Sequence, residues 1–238
     1  MELVCRSFRN ICCQIGIACV FLFFHSSVTG QSRPEVDVTL VLGIDCSYSV
    51  DANEFLLQKA GIANAIISPP VLQAIADGPI GRVAIIVVQW SSSENQINAV
   101  PWTIIATRDD ATRLAQAILA APRQTADGAT SISAFLHHGV NMLAAGPYSG
   151  LRSVIDVASD GTNNNGIQVD DARARALSTG VTINGLTILH EVSWLKDYFR
   201  NHVTGGPGNF IIEAESYTAF AEAMRRKLER EIRGLGVS

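Results

Sequence analysis

Two β-branched runs, Val36 to Ile44 (VDVTLVLGI) and Val83 to Val88 (VAIIVV), constrain this chain more than any other feature. Runs of this kind read as strands buried on both faces of a sheet, which need cover on each side. Val154 to Ala158, Val181 to Leu189 and Phe210 to Ile212 supply three more strand-like stretches. The segments between them carry helix signals. Asp51 followed by Glu54 resembles a capping box opening a helix through Ile67, which Pro69 and Pro70 stop. Thr107 can cap Arg108 to Ala120, ahead of Pro122. Val169 to Thr179 ends at Gly180, a residue suited to the left-handed position after a helix. Ser216 can cap a last helix, in which Phe220, Met224, Leu228 and Ile232 form one apolar stripe. Asn98 to Ile105 is strand-like too, but Pro101 cannot donate to a central ladder, so this is an edge strand. Strands alternating with helices predict one α/β domain, with a mostly parallel sheet joined by right-handed crossovers.

The first thirty residues stand apart. Arg6 and Arg9 precede an apolar run of fourteen residues, Ile11 to Phe24, and His25 to Gly30 turn small and polar. This is the order of a secretory signal peptide, with Val28 and Gly30 at the −3 and −1 positions. The run is shorter than the ~20 residues a spanning helix needs, so no stable membrane anchor is expected after cleavage. The expected layout is a signal peptide at 1–30, a short leader at 31–35, a domain at 36–233 and a tail at 234–238. The mature protein is then secreted or periplasmic. Of five cysteines, Cys5, Cys12, Cys13 and Cys19 fall in the signal and Cys46 remains, so no intrachain disulfide is expected in the mature chain. The formal net charge is −4, and no Lys/Arg run marks a phosphate-binding face, which argues against nucleic acid as partner. Arg225-Arg226-Lys227, interleaved with Glu222, Glu229 and Glu231, reads as a solvated helix face.

In open α/β sheets, ligands bind beyond the carboxyl ends of strands, where strand order reverses. The first strand ends Gly43-Ile44-Asp45-Cys46-Ser47-Tyr48-Ser49, placing one carboxylate and two hydroxyls at alternate positions of a loop. Hard oxygen donors of this kind suit Mg²⁺, Mn²⁺ or Ca²⁺. Asp127-Gly128-Ala129-Thr130-Ser131 then opens a helix, and Val154 to Ala158 runs into Ser159-Asp160-Gly161. Asp, Ser and Thr are also favoured in caps and turns. Here, however, three separate segments agree.

Together these segments resemble the von Willebrand factor A domain and its metal-ion-dependent adhesion site. That family's pattern is Asp-x-Ser-x-Ser, a Thr further on, and an Asp before Gly after the next central strand. The matching residues are Asp45, Ser47, Ser49, Thr130 and Asp160. Within the family, the chain is similar to an uncharacterised bacterial exported subgroup. The resemblance implies a doubly wound, mostly parallel six-stranded sheet with helices on both faces and one antiparallel edge strand, which the Pro101 segment fits. It also implies a divalent cation, Mg²⁺ with Mn²⁺ or Ca²⁺ as alternatives. Ser47, Ser49 and Thr130 would bind it through hydroxyls and Asp45 and Asp160 mainly through water. One position would be left for a partner's carboxylate. The loop Thr162-Asn163-Asn164-Asn165-Gly166 departs from the pattern in length and shows no ligand.

Other candidate residues carry less. Cys46 could act as a nucleophile with His137 or His138 as base, but a small buried side chain under the loop fits the sequence better. The two histidines read as ordinary helix residues. Gly205-Gly206-Pro207-Gly208 lacks the Lys-Ser/Thr of a phosphate loop and is a turn. Trp90, Trp102 and Trp194 read as packing residues, and the common hydrolase signatures are missing. The function expected is a metal-dependent protein-binding module and not an enzyme, its partner a protein offering an acidic residue. The alternatives are a Mg²⁺-dependent hydrolase using Asp45 or Asp160 as base, and a structural domain stiffened by metal.

Overall fold

In the structure, a computed structural model, residues 32–125, 128–189 and 192–234 are described. The expected signal peptide and its cleavage point, Asp127 and the tail from residue 235 lie outside them. The described residues from Arg33 onward form one compact unit around a six-stranded sheet of order β3-β2-β1-β4-β5-β6. The strands are β1 (Glu35–Asp45), β2 (Val83–Trp90), β3 (Gln96–Ile105), β4 (Ser149–Ser159), β5 (Thr182–Ile188) and β6 (Ile211–Ala214). β1 pairs in parallel with β2 on one side and β4 on the other. The chain therefore winds outward in both directions from these two strands, and strand order reverses between their carboxyl ends. Only β3 runs antiparallel. Its ladder passes from Val100 opposite Val87 to Thr103 opposite Ile85, so the unpaired Pro101 sits in a bulge where no donor is needed.

Both sheet faces are covered, as the β-branched runs require. Val38, Leu40, Leu42 and Ile44 of β1 face one cluster, with α1 (Ala52–Ile66), α2 (Pro69–Ala76), α3 (Arg108–Ala120) and α7 (Phe220–Arg233). Val41 faces the other, with α4 (Ile132–Ala145), α5 (Val169–Ser178) and the short α6 (Leu195–Tyr198). Each fully buried aliphatic or aromatic side chain contributes about 1.5–3 kcal/mol. Gly43 lets α4 come close. A Cβ there would meet Phe135 at 2.6 Å, and Phe135 stacks on Trp90 at 5.4 Å. The start of α4 is thereby seated beside the end of β1.

The Asp51 capping box forms and Thr107 caps α3 as expected, the latter within a box completed by Asp110, and Gly180 adopts φ +81° after α5. Four expectations need correction. Pro69 and Pro70 do not stop α1, which ends at Ile66; they occupy the first turn of α2, where a missing N–H costs nothing. Ser216 makes no capping bond. Its hydroxyl lies 2.7 Å from that of Thr218, and a 3₁₀ turn, Tyr217–Ala219, precedes α7. The basic cluster on α7 is only half solvated. Arg225 pairs with Glu222 and Glu229 at the surface, but the Lys227 and Glu231 side chains are both 0% exposed. Lys227 Nζ lies 2.6 Å from Asp156 Oδ1 on β4 and 3.4 Å from Glu231 Oε1. Glu231 also accepts from Asn184 Nδ2. Three ionisable groups share the interior here, and burial chiefly pushes the Asp156 carboxyl up to about 8, against the pull of Lys227. Trp194 is likewise no packing residue, being 57% exposed.

Candidate metal centre

Asp45 is the last residue of β1 and Asp160 follows the last residue of β4, so the two acids flank the point where strand order reverses. A hydrogen-bonded chain joins them. Asp45 Oδ1 accepts from Ser47 N at 2.7 Å. The Ser47 and Ser49 hydroxyls lie 3.3 Å apart, and Ser49 Oγ donates to Asp160 Oδ1 at 2.8 Å. Thr130 comes from the loop before α4, and its Oγ1 faces Gly161: a Cβ on that glycine would sit 3.6 Å away. All five residues singled out in the sequence therefore meet on three adjacent loops. Asp45, Ser47, Thr130 and Asp160 are buried, and Ser49 is exposed.

The electrostatics at this point are unbalanced. Among the described residues no Lys or Arg forms an ion pair with Asp45 or Asp160. Burial first, and the Asp160 charge second, push the Asp45 carboxyl up to about 7, although Ser159 and Ser47 donate to it. Two acids, three hydroxyls and an exposed side at Ser49 fit a hard divalent cation. Among the described residues no group of three or more His, Cys, Asp or Glu could hold a metal. Any ion held here would therefore rely on hydroxyls.

The supports around this centre were mostly invisible in the sequence. Ser159 Oγ donates to Asp45 Oδ2 at 2.6 Å, and Tyr217 Oη donates to Asp160 Oδ2 at 3.0 Å. Gln58 Nε2 donates to the Asp45 carbonyl, and Arg123 donates to the carbonyls of Cys46, Ser47 and Val50, fastening the loop after β1. The asparagine run that showed no role is a rivet. Asn163, Asn164 and Asn165 use their Oδ1 atoms to accept from the backbone N–H of Ser133, Thr130 and Ser93 respectively. Asn164→Ala is expected to cost about 1 kcal/mol and to weaken metal binding by freeing the Thr130 loop, measured by urea unfolding and calorimetry.

Cys46 is 0% exposed, with its thiol pushed up to about 11 by burial and its Sγ 3.7 Å from the Ile44 carbonyl. A thiol so placed is neither a nucleophile nor a ligand. Cys46→Ser should fold with a modest stability loss and an unchanged metal affinity; loss of metal binding would place the sulfur at the centre. His137 is exposed, and half-buried His138 bonds Asn98 Oδ1 at 2.9 Å.

The sheet order, the helices on both faces and the loops at the switch point define the architecture of von Willebrand factor A domains. Solved structures agree. Proximal thread matrix protein 1 from the mussel byssus superposes with a TM-score of 0.62 at 16% identity, over 82% of this chain and 48% of that one. A further structure of that protein carries a zinc-occupied adhesion-site motif (TM-score 0.56, 15% identity, 83% and 48% coverage). The von Willebrand factor type A protein from Catenulispora acidiphila gives 0.60 at 16% identity, over 83% and 43%. The vWF domain of the pilus tip protein Mfa5 from Porphyromonas gingivalis gives 0.54 at 13%, over 87% and 99%. At such identities the likeness is one of fold, and this chain spans less than half the length of the mussel protein. No curated protein matches its sequence. The chain belongs to the family described as "Protein of unknown function (DUF1194)", which matches residues 35–236.

Proposed function

We propose that this protein is an exported, metal-dependent binding module that engages a protein partner through an acidic side chain. One observation carries the reading. Two buried acids, 0% and 2% exposed, are joined through Ser49 at the switch point, and among the described residues no cationic side chain is paired to either. Leaving like charges buried together is costly, and a divalent cation would offset it. Asp45, Ser47, Ser49, Thr130 and Asp160 would hold that ion, Mg²⁺ first and Mn²⁺ or Ca²⁺ next. Bound there, it would supply an electrophilic position for a partner's carboxylate at the open Ser49 side. The chain's own residues do the rest: Arg123 fixes the first loop, the asparagine rivet fixes the second, and Tyr217 orients Asp160. Export is supported by the basic, apolar and small-residue order of residues 1–30, and an adhesion-type role by the pilus-tip protein among its structural relatives.

The test is calorimetric titration of the protein with Mg²⁺, Mn²⁺ and Ca²⁺, followed by binding of carboxylate-bearing peptides with and without EDTA. Saturable metal binding and EDTA-sensitive peptide capture are expected. Thr130→Ala should weaken the metal affinity less than a change at either acid, because it removes one neutral hydroxyl. Absence of metal binding sinks the proposal.

A further inference from the structure

The asparagine rivet ends in the lip of a groove. Asn164 holds the Thr130 N–H, and the Asn165 carbonyl accepts from Ser131 Oγ at 2.9 Å. Gly166 follows at φ +85°, where a Cβ would meet Ser131 Oγ at 2.8 Å and Ser133 Oγ at 2.9 Å. The loop therefore lies flat on the start of α4, and Ile167 beyond it is left 48% exposed. Between this loop, α4 and α5 opens a groove of about 430 Å³, with Ser93, Ser133, His137, Gly166, Ile167 and Arg175 in its lining. That volume lies in the range of ligand pockets. The chain carries more acidic than basic side chains, yet this lining holds Arg175 and His137 and no acid. Among the described residues, neither the Arg175 guanidinium nor the His137 ring has a hydrogen-bond or ion-pair partner. Glu94, next in sequence to Ser93, already accepts from that serine's hydroxyl at 2.7 Å. A guanidinium with its fork of N–H groups free suits a carboxylate. The metal centre is close by. Ser133 stands three residues beyond Thr130, and His137 lies about 7.5 Å along α4 from its first residue, Ile132.

We infer that this groove takes a second acidic side chain of the partner segment, a few residues from the one that reaches the metal. Arg175 receives that carboxylate through its N–H fork, His137 adds a further donor, and Ile167 packs against the carbon stem. The partner recognised is then a segment with two spaced acids and not a lone carboxylate. This rests on the metal reading of the Asp45–Asp160 centre, and it can fail while that reading stands.

The probes are peptides of the form Gly-Asp-(Gly)n-Glu-Gly, titrated by calorimetry in excess Mg²⁺. With n from one to four, the acids stand roughly 7–17 Å apart at ~3.3 Å per extended residue. Matched peptides carry Gln or Leu in place of Glu. At a preferred spacing the Glu peptide should bind roughly three- to tenfold more tightly than either. Arg175→Ala, at an exposed position, should remove that gain while leaving the affinity for Mg²⁺ and for the Gln peptide unchanged. The statistical gain from offering two acids is the same at every spacing and survives Arg175→Ala, so it is told apart. Three results overturn the inference with the metal reading intact: no spacing-dependent gain for Glu, an equal gain for Leu, or a gain that survives Arg175→Ala. A wild type that takes up no Mg²⁺ overturns both.

Discussion

Asp45→Asn is expected to make the metal-free protein more stable at pH 8 and to abolish its response to Mg²⁺. In the folded chain the Asp45 carboxyl is pushed from its ordinary 3.8 up to about 7, by burial and then by the Asp160 charge. The folded state therefore holds this proton more tightly than the unfolded one. On this account stability is intact below pH 4 and is lost as pH rises toward 7. The full gap is worth on the order of 4 kcal/mol. Asparagine keeps an oxygen for Ser47 N and can turn its amide toward Ser159 Oγ, so a net gain of roughly 1–3 kcal/mol is expected once imperfect geometry is allowed for. Mg²⁺ should reverse the ranking. An ion binding only the folded state adds about 2.7 kcal/mol at a hundredfold excess over Kd, and only the wild type can take it. Urea unfolding of both proteins at pH 5 and pH 8, in EDTA and in excess Mg²⁺, decides the matter. A variant that is less stable than wild type in EDTA at pH 8 and still gains from Mg²⁺ would remove Asp45 from the centre.

Lys227→Met should be the most damaging single change outside the centre. Its ammonium lies between Asp156 and Glu231, and removing it leaves two acids in the interior without a counter-charge. Breaking a buried pair in this way costs about 3–5 kcal/mol, a fall in melting temperature of roughly 10 °C for a domain of this size. The variant carrying Asp156→Asn and Glu231→Gln as well should recover most of that loss, since the charges would then be gone together. If the single change costs less than about 1 kcal/mol, the network behaves as a surface pair and the packing of α7 on β4 needs another explanation.

The fold was legible because β-branched runs and capping residues act locally. Asp51, Thr107 and Gly180 each set a boundary by a bond or a dihedral within a few residues of themselves. The five residues of the centre were legible for a related reason: strand ends put them on loops at one edge of the sheet. Pro69 was misread because proline breaks a helix and begins one equally well, and only the chain direction around it decides. Lys227 looked solvated because its partner, Asp156, is far away in sequence. The same distance hid Tyr217 from Asp160, and the asparagines from the N–H groups of Thr130 and Ser133. Contacts between loops leave no periodic trace.

The bulge at Pro101 has a consequence for crowded solutions. A sheet grows between molecules by adding strands to an open edge, and here neither edge invites it. β3 meets a newcomer with a proline and a broken ladder, and β6 offers only the four residues Ile211–Ala214. Copies held side by side should stay separate particles, so assembly into fibres would require a different surface from the sheet itself.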